Sequence, residues 1–305
     1  MNQGVEQSMD MERARKTTVV ALLVGAVLMA GAALWGLVEP GPFFFGYLFA
    51  FMLWTSVPLG AAALLMMFHL TGGRWGEGIR RQIEAASLTA VVPLVFVGGV
   101  LLGIPHLYDW SHPAFVEHHH AVAKKALYLN TAFFSVRSIG FTLLWAVGGI
   151  VLGLWSRRVS KTDESRLGLK RLCAAGLLVY AFTVSFAGID WVASLEPTWY
   201  SSIFGLYIII GQAVAAMAIC ILLVARRRTT SAEQREQHED LLHDLGNLLL
   251  AFLAIHAYFG FSQFFLIWVA NLPHEIVWFL PRMRDGWGVL GVMLMIVHFA
   301  LPFSM

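Results

Sequence analysis

The stretch GIDWVASLEPTWYSSIFG, residues 188–205, sets two carboxylates, Asp190 and Glu196, between two long apolar runs. A carboxylate there can hold or pass a proton, pair with a buried cation, or close a turn. A cation is at hand in NTAFFSVRSIG, where Arg137 lies about six residues inside an apolar run, on the order of 9 Å deep at 1.5 Å per residue. An ionised side chain in hydrocarbon costs roughly 2.5–3.5 kcal/mol on insertion scales. Either its head is drawn up to the interface along its own stem, or it has a buried partner. The ends of neighbouring runs offer His106 and Asp109 in GIPHLYDW, Asn130, Asp190, Glu196, Gln263 and Asn271. The acids also admit a plainer account as loop chemistry. Asp190 falls in the last turn of a run, Pro197 stops a helix, and Ser201 or Ser202 can cap the next one. Trp191 and Trp199 bracket the turn and are expected to act as anchors at the membrane interface.

A second polar set sits at the other ends of the runs. His69 closes one run, Glu77 and Glu84 flank Arg80 and Arg81, and His243, Asp244 and Asn247 open another. His256 and His298 are deeper, each about 10–14 Å from the nearer face by the same rise. His69, Glu84, His243, Asp244, His256 and His298 have the make-up of a proton path, because each can take and give a proton. A lone membrane histidine is equally a hydrogen-bonded packing residue. The comparable depth of His256 and His298 also raises bis-histidine haem ligation, for which more than one such pair is expected. The run His118–His120 reads as a solvated or partner-facing loop. Cys173 and Cys220 fall inside apolar runs, so neither a disulfide framework nor a metal–cysteine site is indicated. No residue is assigned a catalytic or metal-binding role.

The elements that position these groups follow from composition. The chain is 58% hydrophobic and only 13% charged, against about 25% charged in soluble domains. That makes it an integral membrane protein, and the net charge of +2 gives no indication of a nucleic-acid partner. A polar tail over 1–16 precedes a membrane domain over 17–305, and the tail lacks the pattern of a cleaved leader. Runs long enough to cross a bilayer as helices lie near 17–38, 43–70, 87–107, 131–155, 172–191, 201–225, 247–268 and 287–305. The fold expected is an all-α polytopic bundle with eight spans. Sixteen Lys and Arg flank one set of loops, among them Arg74, Arg80, Arg81, Arg157, Arg158, Lys161 and Arg228. Four flank the other set: Lys124, Lys125, Arg282 and Arg284. This asymmetry places the N-terminus in the cytoplasm and the hairpin carrying Asp190 and Glu196 outside. The polar stretch 226–246 reads as a cytoplasmic helical loop, and the basic loop 156–171 between two groups of four runs hints at two bundles.

Four stretches go beyond generic membrane chemistry: HLTGGRWGEGIRRQIEAAS (69–87), DWVASLEPTWYSSIFGLY (190–207), HDLGNLLLAFLAIHAYFGFSQFFLIWVANLPHE (243–275) and HFALPF (298–303). In this order, over nearly all of the chain, they resemble the ActF subunit family of bacterial alternative complex III, among the NrfD-like membrane proteins. The resemblance implies a subunit of a quinol:electron-acceptor oxidoreductase in the bacterial inner membrane. Its partners would be a sister NrfD-like subunit, an iron–sulfur subunit and haem c subunits. No covalently bound cofactor is implied, and quinone or quinol is the candidate ligand. The role implied is proton translocation and assembly; from the residues themselves, His106, Asp109, Arg137, Asp190 and Glu196 on the outer side are the proton-path or quinone-site candidates. Members of that family have ten spans, so the last two are expected to be missing here. The sequence holds no C-x-x-C-H haem attachment and no iron–sulfur cysteine pattern. The competing readings are a stand-alone secondary transporter, which calls for inverted repeats and broken midplane helices, and a purely structural membrane anchor.

Overall fold

A computed structural model describes residues 2–158, 163–227 and 231–304. Lys161 and Arg228, two of the cations weighed above, lie outside the described residues, as does Met305 at the end of the last apolar run. Among the described residues every regular element is helical. The principal ones are α1 (Asn2–Gly36), α2 (Pro40–Thr71), α3 (Arg74–Leu88), α4 (Val91–Leu102), α5 (Thr131–Arg158), α6 (Asp163–Trp191), α7 (Phe204–Ala225), α8 (Ala232–Ala270) and α9 (Trp287–Met295). α9 runs on through a π-helical turn, Ile296–Ala300, into Leu301–Ser304. Helices are what apolar runs of this length must form in lipid, where backbone groups have no water to bond.

Among the described residues seven helical segments are long and apolar enough to cross a membrane: Arg15–Gly36, Pro40–Thr71, Thr131–Arg158, Ser165–Leu195, Phe204–Ala225, Ala232–Ala270 and Trp287–Ser304. The chain is thus a multi-pass membrane protein. The apolar run near 87–107 is not one straight helix. α3 and α4 meet at a 40° bend over Thr89 and Ala90, and they make an eighth crossing only when taken together. α4 alone rises about 18 Å, short of a hydrocarbon core of about 30 Å. α3 owes its different character to its amphipathic sequence. It buries Ile79, Ile83, Glu84 and Ser87 against α2 and α5 while its polar face stays open.

α2 is the central helix and packs on α3, α4, α6 and α7. The α2–α7 contact joins the two halves of the sequence, so they do not form two separate bundles. That contact needs Gly60, because a Cβ there would strike the backbone carbonyl of Gln212. The apolar parts of α1, within Arg15–Gly36, and of the last helical segment, Trp287–Ser304, bury nothing and stand at the periphery. Local signals set the ends. The Asn130 carboxamide accepts the Phe133 N–H at 2.9 Å and caps α5. Ser231 caps α8 through the Gln234 N–H at 3.2 Å, and Asn271, at φ 47°, ends α8 in the left-handed region. The polar segment after Ser231 is helical as expected, but it is continuous with the apolar part of α8. Exposed Val147, Leu178, Phe182, Leu222 and Leu266 give the bundle an apolar outer surface.

Candidate functional site

The capped start of α5 and the last turn of α6 bring Arg137 and Asp190 together. Arg137 Nε donates to Asp190 Oδ2 at 2.8 Å, Nη2 to Oδ1 at 2.9 Å, and Nη1 to the Tyr128 carbonyl at 3.0 Å. The side chains are 9% and 0% exposed, so this is a buried fork-to-carboxylate pair. The Tyr128 and Phe133 rings lie 3.8 and 4.2 Å from the guanidinium carbon and cover the charge. The Ser194 hydroxyl donates to the Asp190 carbonyl, and the Tyr108 hydroxyl donates to that of Trp191 at 3.0 Å. The carbonyls that end α6 are thereby satisfied. The Tyr128 hydroxyl is buried with no partner among the described residues. Burial first, and the nearby Asp190 charge second, push this phenol up.

Trp191 and Trp199 are not interface anchors. Both are buried, Trp191 edge-on to Phe51 and Trp145 with its indole N–H on Ser138 Oγ at 2.9 Å, and Trp199 stacked 4.2 Å from Trp278. They fill protein rather than lipid because α2, α5 and the segment before α9 close over the hairpin. The other partners proposed for Arg137 lie elsewhere. Glu196 accepts from Thr198 at 2.7 Å and is within electrostatic reach of Arg282. His106 is exposed and stacks on Phe44 at 5.3 Å, and Asp109 is exposed. Asn130 and Asn271 are helix ends, and Gln263 accepts from Ser201. Lys125 reaches the same hairpin, donating to the Pro197 carbonyl at 2.7 Å, and burial lowers its amine.

The far ends of α2, α3 and α5 carry a second network. His69 Nε2 lies 2.8 Å from Ser156 Oγ, and Ser156 Oγ donates to Glu84 Oε1. A serine has one proton to give, so His69 must donate the bond it makes to Ser156. Arg80 Nε donates to Glu84 Oε1 at 2.8 Å and its Nη2 to the Ser156 carbonyl, while Arg157 Nε stands 3.8 Å from Glu84 Oε2. Glu84 is buried and Glu77 is exposed. His243 and Asp244 do not join this network. His243 faces Asn247 at 3.3 Å, and Asp244 pairs loosely with exposed Arg74 at 3.8 Å. Arg137 and Ser156 are separated along α5 by about 28 Å, the thickness of a hydrocarbon core.

Between these levels lies a third. His256 Nδ1 is 3.3 Å from His298 Nε2, and Tyr207 stacks on the His256 ring at 4.2 Å. His298 sits within the π-helical turn of α9, a widened geometry that recurs at functional sites. Gly211 backs His256, and its neighbour Gln212 accepts from Tyr180 at 2.7 Å. Tyr180 lies about 15 Å below Asp190 along α6. Hydrogen bonds among the described residues do not link the three levels. Separately, an apolar cleft of about 1020 Å³ opens between α1, α2 and α4, lined by Trp35, Phe43, Tyr47, Trp54 and Phe96 among others. The Tyr47 hydroxyl there is spent on the Phe96 carbonyl at 2.7 Å.

Comparison with protein-family models and with curated proteins gave no match for this chain.

Ser156, Tyr180, Gln212, Ser138 and Tyr128 were invisible to a search for charge. Gln212, the sole amide in GLYIIIGQAVAAMAICILLV, carried a readable signal. The hydroxyls did not, because serine and threonine within a membrane helix commonly bond their own backbone.

Proposed function

We propose that this chain is a membrane subunit of a respiratory quinol:electron-acceptor oxidoreductase of the alternative complex III type, handling protons and helping to hold the assembly together. The observation that carries the reading is the set of ionisable groups at both ends of α5, with a histidine pair between them, inside an otherwise apolar bundle. Such groups are costly in hydrocarbon and mark proton or ion routes. The four sequence stretches resembling the ActF family supply the identity of the complex. On this reading the bundle crosses a bacterial inner membrane eight times, α3 and α4 counting as one span, with its N-terminus in the cytoplasm. The hairpin after α6 then faces the iron–sulfur and haem c subunits, and a sister NrfD-like subunit packs alongside.

The inner network is arranged as a relay. When His69 carries a proton on both ring nitrogens, Ser156 passes its proton to Glu84 as it takes one from His69 Nε2, so one proton moves from imidazolium to carboxylate, leaving a neutral histidine and no net change at the serine. At the other end Arg137 holds the Asp190 carboxylate in a fixed place and supplies its counter-charge. Quinone fits only in part. The apolar cleft suits an isoprenoid tail, but Asp190 has no exposed surface and both its oxygens are held, so a headgroup cannot touch it in this arrangement.

A structural reading has one observation in its favour: Asp190 is fully bonded, as a static pin would be. Two experiments decide. Purification of the native protein brings haem-bearing partners with it if the complex reading holds, and yields the chain alone if it is a transporter. In the intact complex, Glu84→Gln and Asp190→Asn lower the proton yield per electron. Unchanged turnover and proton yield in both leave only the structural role.

A further inference from the structure

α5 ends in Arg157 and Arg158, and α3, packed against it, sets Arg80 and Arg81 alongside. Arg80, Arg81, Glu84 and Arg157 line an open cleft of about 550 Å³. Three cations face one carboxylate there, and that carboxylate is already engaged by Arg80 and Ser156. Arg157 stands 3.8 Å from it, too far for a hydrogen bond. Arg81 is exposed and makes no hydrogen bond or ion pair among the described residues. The cleft therefore keeps an excess of two positive charges with donors free.

What leads into the cleft decides what it would take. Val147, Ile150, Val151 and Leu154 are 53%, 39%, 42% and 38% exposed. Their spacing of three and four residues puts them in one stripe along α5, and the same stripe continues into Arg157 and Arg158. An apolar track about as long as the inner half of a bilayer ends in a guanidinium cleft. Trp155, 37% exposed beside it, is of the type that sits at headgroup depth. A free anion would use the cleft and leave the track unused, whereas a phospholipid uses both.

We propose that the Arg80–Arg81–Arg157 cleft is a binding site for the phosphate headgroup of an acidic phospholipid whose acyl chains lie along the exposed stripe of α5. The Arg80–Glu84 pair forms the floor of the site. Arg81 and Arg157 supply the donors, and the guanidinium fork matches two phosphate oxygens at once. The inference needs only the membrane placement of the bundle, not the identity of the complex.

The test is competitive lipid retention by the full chain in mild detergent, counted by native mass spectrometry. The probes are phosphatidylglycerol and phosphatidylcholine with identical acyl chains. Basic residues near a membrane surface each strengthen acidic-lipid binding about fivefold, so phosphatidylglycerol should be preferred, and Arg81→Gln with Arg157→Gln should remove about fivefold per site. Arg81→Lys with Arg157→Lys keeps the charge, retains most of the preference, and controls for folding. Equal retention of the two lipids, or an intact preference in the double glutamine variant, overturns the proposal. Displacement of the lipid by excess inorganic phosphate overturns it too, by making the cleft a free-anion site.

Discussion

Arg137→Met removes one half of the best-buried ion pair and keeps the volume of the stem. Three charge-assisted hydrogen bonds are lost, two to Asp190 and one to the Tyr128 carbonyl. The larger effect is on what remains: a carboxylate with no exposed surface and no counter-charge. Breaking a buried pair from one side costs about 3–5 kcal/mol, whereas replacing both partners with apolar groups is often neutral or stabilising. The expected pattern is therefore non-additive. Arg137→Met should lose about 3–5 kcal/mol, Asp190→Leu a similar amount because the guanidinium is then stranded, and the double variant should recover most of it. Reversible unfolding in mixed micelles, run as a double-mutant cycle, reads all three terms. A single variant within about 1 kcal/mol of wild type, or a double variant as unstable as the sum of the singles, refutes the claim that mutual neutralisation of Arg137 and Asp190 is what holds the ends of α5 and α6 together.

Ser156→Ala cuts the hydrogen-bonded link from His69 to Glu84 seen among the described residues, so proton yield per electron should fall in the complex while Ser156→Thr retains it; equal yields in both variants would remove Ser156 from the relay. Tyr180→Phe strands the buried Gln212 carbonyl and should cost about 1–3 kcal/mol in the same unfolding assay, with Gln212→Leu added on top recovering most of the loss. The Lys125 amine is lowered by burial. The unfolded chain therefore binds more protons between that lowered value and the ordinary lysine value, and stability should rise with pH across this window. Lys125→Met should lack that slope, and a slope unchanged by the substitution would assign it to another group.

Burial of Asp190 also explains why the hairpin was only half legible. Its turn chemistry was local only in part: Pro197 and the end of α6 at Trp191 followed from residue types along the chain, but neither Ser201 nor Ser202 caps α7, which starts after Ile203 with no side-chain cap while Ser201 donates to Gln263. The role of its tryptophans was not local. An indole at a span end reads as an interface anchor unless other helices cover it, and here α2 and α5 cover Trp191 while Trp278 covers Trp199.

The sequence by itself determined that this is a helical membrane protein, where most of its long helices run, and which charged residues cannot sit in lipid without partners. These follow from one-dimensional quantities: the length of apolar runs, the rise per residue, and the cost of charge in hydrocarbon. Tertiary structure alone decided the pairings. Arg137 had seven candidate partners and took Asp190, because the capped start of α5 and the end of α6 meet at one level. His69 and Glu84 are joined through Ser156, a residue without charge that only proximity could single out. His243 and Asp244 were left aside because their side chains meet Asn247 and Arg74 instead. The bend at Thr89 and Ala90 belongs to the same class. It ends the amphipathic helix that buries Glu84 and leaves Arg81 exposed, and no periodicity in the run could have set its angle.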